Sequence, residues 1–405
     1  MWLAPILRPA VRTGNLSFVD PTGRTHTFGD GTGPPVRAHV HDRRTDRRLA
    51  LNPYLALGEA YMDGTLTMER GDIGDLIALV GRNLGIHRDL PIQKALRVAR
   101  RLTRPLQQFN PARRARHNAA HHYDLSGALY ELFLDADRQY SCAYFVNPGD
   151  SLERAQEQKK QHVAAKLLIE PDMHVLDIGC GWGGLALYLA RTCKARVTGI
   201  TLSEEQCRVA RERAAAAGLD DRVEFRLEDY RATRGRFDRI VSVGMFEHVG
   251  IGHYSRYFRA IRRLLDERGV ALVHTIARSD GPGVTNGFIR KYIFPGGYSP
   301  ALSEVLPVVE RTGLWLTDLE VLRLHYARTL SHWRRRFAAA RHHAAQLYDE
   351  RFCRMWEVYL AGSEAAFRDG GHMVAQLQVT REQDAVPLTR DYIDAFKRAH
   401  PVMTN

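Results

Sequence analysis

The apolar positions change their period along the chain, and the change marks its organisation. From Val175 onward, short apolar runs alternate with stretches of helical spacing. Val175–Ile178, Ala195–Thr201, Val223–Leu227, Phe237–Val243 and Val270–Ile276 read as strands. Leu185–Arg191 begins a helix, and Ser203 opens another, with Gln206 three residues on as a capping signature. This succession predicts a parallel sheet covered by helices on both faces. Residues 1–115 read differently. Leu16–Asp20 and Arg24–Phe28 form two strands around the turn Pro21-Thr-Gly23, and Val36–Val40 forms a third. Helical spacing follows over Pro53–Met62, over Ile73–Leu84 and from Pro91. The alternation breaks again near 280–300, and a helical stretch rich in Arg, His and aromatics runs over about 328–368. These late segments read as a cap over the C-terminal edge of the sheet, where insertions build substrate pockets. The expected fold class is α/β, a Rossmann-like sheet with a helical cap plus a smaller N-terminal α+β domain. The expected domains are 1–115 and 116–405.

One segment carries the chemistry. His174-Val-Leu-Asp-Ile-Gly-Cys-Gly-Trp-Gly-Gly184 is an apolar strand that stops at a glycine-rich turn and passes into a helix. Glycines let a backbone approach a ligand closely, and the helix N-terminus offers free N–H groups. Asp177 stands where open α/β sheets hold ligands, with a natural role opposite a cationic amino-acid moiety. The spacing Gly-x-Gly-x-Gly-Gly lacks the third glycine of the dinucleotide fingerprint in register. S-adenosylmethionine suits it better, with a nucleotide cofactor and a turn that binds nothing as the competing readings.

Composition narrows the class. The chain has 405 residues, 44% hydrophobic and 26% charged, which is an ordinary globular balance. No apolar run reaches the length of a membrane-spanning helix, and the start lacks the basic leader and cleavage site of a signal peptide. Five cysteines without C-x-x-C argue against a disulfide framework or a zinc site, and fit a reducing cytoplasm. The pairs His121/His122 and His342/His343 match no metal motif, so no metal is expected. The net charge of +12 asks for an anionic partner. Between Asp89 and Asp124 there is no acidic residue, while Lys94, Arg97, Arg100, Arg101, Arg104, Arg113, Arg114 and Arg116 are present. Ile92, Ala95, Ala99, Leu102 and Leu106 recur at helical spacing on the other face, the pattern of a helix lying on an anionic membrane surface or packed on the next domain.

The motifs Tyr123-Asp-Leu-Ser, Gln139-Tyr-Ser-Cys-Ala-Tyr, Val175-Leu-Asp-Ile-Gly-Cys-Gly-Trp-Gly-Gly, Val241-Ser-Val-Gly-Met-Phe-Glu-His-Val-Gly, His274-Thr-Ile and Lys291-Tyr-Ile-Phe-Pro come in this order. Together they resemble the cyclopropane-fatty-acyl-phospholipid synthase family over roughly residues 115–390, and the N-terminal unit resembles the lipid-associated domain of its longer members. The resemblance implies a class I methyltransferase sheet. It implies transfer of a methylene group from S-adenosylmethionine to the cis double bond of an unsaturated phospholipid in the membrane. An alkene is a weak nucleophile, so the site must be dry and must hold the sulfonium methyl close to it. Attack leaves a carbocation, and a base must take a proton from the added methyl as the ring closes. A strong protein nucleophile there would be alkylated; the resemblance implies a bound bicarbonate ion instead. It places the bicarbonate site at Cys142, Glu247, His274, Ile276 and Tyr326. It places Tyr140 and Ser141 at the methionine end of the cofactor, Asp177, Gly179, Gly181 and Gly183 at the central turn, Thr201, Ser203 and Gln206 at the ribose, and Asp229 and Tyr230 at the adenine. Phe288, Tyr292, Phe294 and Tyr298 would line an acyl tunnel. A homodimer, peripheral to the inner face of the membrane, is the implied state.

Two features set alternatives. The family motif Tyr-Leu-x-x-Cys-x-x-x-Phe-Arg appears as Tyr359-Leu-Ala-Gly-Ser-Glu-Ala-Ala-Phe-Arg368, with Ser363 at the cysteine position. A hydroxyl is far less nucleophilic than a thiolate, so an active chain needs no thiolate there. The same first step can also end in a methyl- or methylene-branched chain. A nucleic-acid substrate is not expected: the Asn/Asp-Pro-Pro-aromatic loop of base-amine methyltransferases is replaced by Gly244-Met-Phe-Glu-His.

Overall fold

The structure, a computed structural model, describes residues 1–85 and 127–402. The basic window 89–124 and the Tyr123-Asp-Leu-Ser motif lie outside the described residues. The described chain forms two compact units: residues 1–85, 283–295 and 327–372, and residues 127–282, 296–326 and 373–402. The division is therefore not the consecutive 1–115 and 116–405 read from the sequence.

In the first unit, β1 (Asn15–Val19), β2 (Thr25–Phe28), β3 (Pro35–Val40) and β4 (Leu66–Arg70) form one sheet in the order β2-β1-β3-β4. β1 and β3 run parallel and the outer pairs antiparallel. The helices Pro53–Met62 and Ile73–Leu84 fall where the periodicity puts them. Asp72 and Asp75 cap the second reciprocally. β4 and the helices Ala4–Ala10 and Arg43–Leu51 were not legible, because each is too short to show a sustained period. The late segments join this unit through polar and aromatic contacts. Lys291 Nζ and the Tyr292 hydroxyl donate to Glu59 at 2.6 and 2.9 Å, and the Tyr61 hydroxyl donates to Glu357 at 2.8 Å. A Cβ on Gly58 would strike the Phe288 ring at 2.3 Å, and Phe294 meets Tyr359 edge-on. The stretch 328–368 is not one helix but three: His325–Ala339, Arg341–Leu347 and Glu350–Arg368. The aromatic rings expected along an acyl tunnel are used in packing: Phe288 and Tyr298 are buried, and the Tyr298 hydroxyl donates to Glu304 at 2.6 Å within the second unit.

The second unit is built on β5 (His174–Ile178), β6 (Arg196–Thr201), β7 (Val223–Leu227), β8 (Phe237–Val243), β9 (Leu265–Arg278), β10 (Trp315–Val321) and β11 (His372–Thr380), in the order β10-β11-β9-β8-β5-β6-β7. The first five strands match the sequence reading and pair in parallel. The other two correct it: β10 and β11 pair antiparallel, so the sheet is mixed. β11 is hidden from a pattern search because Gln376 and Gln378 lie fully buried in it, and β10 because a register shift at Leu316/Asp318 breaks its alternation. From β5 the chain moves one way to β6 and β7 and the other way to β8 and β9. That reversal opens a crevice at the C-terminal ends of β5 and β8. Two apolar layers fill the faces of the sheet, one around Phe246, Tyr257, Phe258 and Val273, the other around Val163, Leu185, Leu189 and Leu272. All five cysteines are buried and free. No helix among the described residues is long and apolar enough to cross a membrane.

Candidate active site

The crevice is a cleft over the turn that follows β5. The amides of Gly179 and Cys180 both donate to the Ile200 carbonyl, at 2.9 and 3.0 Å, which folds the turn back on β6. Gly181 sits at φ +56° with nothing within 4 Å of where a Cβ would stand, so the turn leaves a bare backbone cradle. At the end of β6, Thr201 Oγ1 donates to Gln206 Oε1 at 2.9 Å and accepts from the Ser203 amide at 3.2 Å. Ser203 Oγ accepts the Gln206 amide at 3.3 Å, which is the cap read from the sequence. Asp229 accepts a bidentate contact from Arg231, with Nε at 2.8 Å and Nη2 at 2.5 Å. The loop Gln139–Ser141 is held by the Gln156 amide, which donates to the carbonyls of Gln139 and Ser141 at 3.2 and 3.0 Å.

Tyr140, Ser141, Asp177, Gly179, Gly181, Thr201, Ser203, Gln206, Asp229 and Tyr230 all line this one cleft. Gly183 does not line it; at φ +82° it packs beneath, facing Phe225 and Ala210. The cleft fits the expected cofactor on its own features. It offers a glycine cradle, a polar knot at the end of β6, and a fully buried carboxylate, Asp177, whose Oδ2 has no partner among the described residues. Burial raises the Asp177 pKa to about 7, and the Lys159 ammonium opposes that shift.

Three of the second set, Glu247, His274 and Ile276, lie at the C-terminal ends of β8 and β9. Glu247 sits on a short turn after β8, between Met245 and His248, which line the cleft. Its Oε1 accepts the Ile276 amide at 2.6 Å, while Oε2 is buried without a partner among the described residues. Burial raises the Glu247 pKa to about 7, and the Ile276 amide partly offsets this. His274 pairs in register with Val243, and its backbone carbonyl accepts the Gly244 amide at 2.9 Å. Burial depresses its imidazole pKa to about 3, so the ring is neutral. The Gln376 side chain lies 3.1 Å from Nδ1; with the amide nitrogen as donor, the ring proton sits on Nε2. Cys142 is buried and its thiol donates to the Ala143 carbonyl at 3.3 Å. Tyr326 is buried beside His325, whose Nδ1 accepts the Phe145 amide at 3.0 Å and ties this segment to the Cys142 loop. The Ile276 amide is given to Glu247.

Two buried groups escaped the sequence reading. Lys159 lines the cleft from the helix Leu152–Leu167, and Gln376 orients His274 from β11. The signal for Lys159 was a helix that is polar around its circumference and lies beside a nucleotide-type strand.

The raised Glu247 pKa has a consequence for stability. The folded carboxyl holds its proton above the range where the unfolded one loses it, so stability falls as pH rises through that window to about 7. Glu247→Gln is expected to melt several degrees above the wild type at pH 8, with the gap narrowing toward pH 5. Thermal melts at both pH values check this, and a gap independent of pH would refute it.

The sequence profile described as mycolic acid cyclopropane synthetase matches residues 110–377, and a domain of unknown function matches residues 15–86. A probable fatty acid methyltransferase of Pseudomonas putida is 38% identical over 371 residues, covering 90% of this chain and 92% of the relative. The cyclopropane-fatty-acyl-phospholipid synthase of Escherichia coli is 40% identical over 336 residues, 82% of this chain and 85% of the relative. The mycolic acid cyclopropane synthase CmaA1, solved in complex with SAH and CTAB, superposes with a TM-score of 0.63 at 32% identity, over 67% of this chain and 99% of that one.

Proposed function

Because this chain belongs to the mycolic acid cyclopropane synthetase family, whose relatives are S-adenosylmethionine-dependent methyltransferases acting on lipid chains, we propose that it converts the cis double bond of unsaturated phospholipid acyl chains into a cyclopropane ring. The observation that carries this reading is Glu247. A buried carboxylate with one oxygen anchored and the other free stands beside a glycine-cradled cofactor cleft. When bound, S-adenosylmethionine supplies the electrophilic methyl, and a bicarbonate ion supplies a base too weak to be alkylated. The residues fit such an ion. Glu247 Oε2 can accept its O–H, and the neutral His274 can donate from Nε2. The Tyr326 hydroxyl is a further donor. Ile276 acts through its grip on Glu247 rather than through a free amide. Tyr140, Ser141 and Asp177 hold the methionine end, Thr201, Ser203 and Gln206 the ribose side, and Asp229 and Tyr230 the adenine.

Incubation with labelled cofactor and vesicles of unsaturated phospholipid tests the reading, with mass spectrometry and proton resonance of the product lipid. Ring-proton signals are expected. Label in the lipid with a methyl or methylene branch and no ring signal would establish the second reading, C-methylation of the acyl chain, which the similarity to a probable fatty acid methyltransferase favours. Ser363 lies on the helix Glu350–Arg368. Ser363→Ala is expected to leave turnover within about twofold, because catalysis rests on Glu247 and an ion rather than on a nucleophile at this position. A hundredfold loss would contradict that.

Peripheral binding to an anionic membrane, as a homodimer at its cytoplasmic face, belongs to the same proposal. It rests on the basic window 89–124. Each basic residue near such a surface contributes about 1 kcal/mol. Replacing Lys94, Arg97, Arg100, Arg101 and Arg104 by Gln is expected to weaken flotation with anionic vesicles by at least tenfold at low salt, and added salt should erase the difference. Binding indifferent to salt would remove this part of the proposal.

A further inference from the structure

The apolar layer around Phe246, Tyr257, Phe258 and Val273 encloses a small polar island. Ser242 pairs in register with Val273 and stands two residues beyond Ile240, so its side chain enters this layer. Tyr257, on the helix Tyr254–Leu264, packs with its ring centroid 5.0 Å from that of Phe246, the chain neighbour of Glu247. Ser242 Oγ, Tyr257 Oη and Glu247 Oε2 are all buried, and none makes a well-formed hydrogen bond to a described residue. The three lie close enough to act on one another. Burial raises the Tyr257 pKa overall, the Ser242 hydroxyl lowers it, and Glu247 raises it. Thr275, buried nearby on β9, differs, because its hydroxyl is given to the Ile276 carbonyl at 3.1 Å. Three unmatched polar oxygens in an apolar layer are costly, and a buried water typically makes about three hydrogen bonds to such groups.

We propose that Ser242 and Tyr257 hold a water molecule against Glu247 Oε2, and are thereby positioning residues for that carboxylate. The water accepts from both hydroxyls and donates to Glu247. The Ile276 amide already grips Oε1 at 2.6 Å, so the carboxylate is fixed at both oxygens and cannot turn about its last bond. An ionised carboxylate oxygen has more than one lone pair, and Oε2 can take the water on one side and a ligand on the other. The effect on turnover rests on the proposed function, in which Glu247 faces the ion. The water site itself does not depend on that reading.

A high-resolution crystal structure of the full chain and steady-state kinetics with vesicles of unsaturated phospholipid test this together. The map is expected to show a water within about 3.2 Å of Ser242 Oγ, Tyr257 Oη and Glu247 Oε2. Direct bonds among these atoms with no water between them overturn the proposal, and this observation needs no variant to fold. Tyr257→Phe and Ser242→Ala are each expected to lower kcat about fivefold or more, with the lipid KM and the calorimetric cofactor affinity within about twofold of the wild type. The double variant is expected to lose no more than the worse single one, because both hydroxyls act through one water. Losses that multiply in the double variant, losses shared equally by kcat and cofactor affinity, or unchanged kcat overturn the positioning role. A wild type that modifies no lipid would overturn that role together with the proposed function, while the map alone still decides the water.

Discussion

Replacing Glu247 by Gln is expected to cut turnover by about a hundred- to ten-thousandfold, the range typical of a lost acid–base partner, with cofactor affinity nearly unchanged. The amide is nearly the same size and keeps an oxygen that can accept the Ile276 amide, as Oε1 does at 2.6 Å. What changes is the other end. Oε2 is a buried acceptor with no protein partner among the described residues, and the amide puts two N–H donors there. Under the proposed function, a bound ion offering its own O–H to Glu247 would then meet a donor, and Glu247 would no longer accept that proton. Glu247 is not among the residues lining the cofactor cleft, so affinity for the cofactor gives a control on folding. Steady-state turnover with vesicle substrate, set beside calorimetric cofactor binding, checks both halves. Near-wild-type turnover would remove Glu247 from the mechanism. Matched losses in both would make it a structural residue. A higher melting temperature for the same variant at pH 8 would add support, since a group kept at a cost in stability is commonly kept for function.

Gly183→Ala is expected to be the most damaging single methyl in the catalytic unit. The residue caps the helix Gly184–Cys193 at φ +82°, a left-handed conformation that an L-residue adopts at a cost of about 1–2 kcal/mol. The new Cβ would also stand 2.6 Å from the Phe225 ring and 3.1 Å from the Ala210 methyl. Overpacking of this kind costs about 1–3 kcal/mol. Together these terms predict a loss of about 2–5 kcal/mol in denaturant unfolding, with weakened cofactor binding because the helix N-terminus must move. Adding Phe225→Leu should recover the packing share and leave the backbone share. A loss below about 0.5 kcal/mol in the single variant would show that the turn is softer than its geometry states.

Much of this unit is written locally. The strands β5 to β8 are short apolar runs bounded by turn residues, and their burial follows from composition alone. The positive-φ turn needs glycine at 179, 181 and 183 whatever surrounds it, and the Ser203 cap spans only three residues. That is why the glycine turn and Asp177 could be read from the residues themselves, whereas Tyr140, Ser141, Thr201, Ser203, Gln206, Asp229 and Tyr230 were named through the resemblance and then found lining the same cleft. The residues proposed for a bicarbonate ion come only from the resemblance, since Cys142, Glu247, His274 and Tyr326 are far apart in the chain and no spacing joins them.

Folding in three dimensions settled the remainder, and the physical cause is the same each time: groups whose state depends on distant partners. The helix Leu152–Leu167 has no apolar stripe, yet Lys159, Lys160 and Lys166 are buried in it because Gln139, Asp137 and Asp318 reach across to satisfy them. Gln376 and Gln378 sit inside β11 because His274 takes the amide nitrogen of the first, and the Lys166 carbonyl and Tyr392 that of the second. Residues 283–295 and 327–372 group with the N-terminal sheet through Glu59 and Glu357, carboxylates that a one-dimensional pattern would place on a surface. Apolar periodicity reports only how a residue meets water. It carries no record of which polar group, a hundred positions away, will take the place of that water.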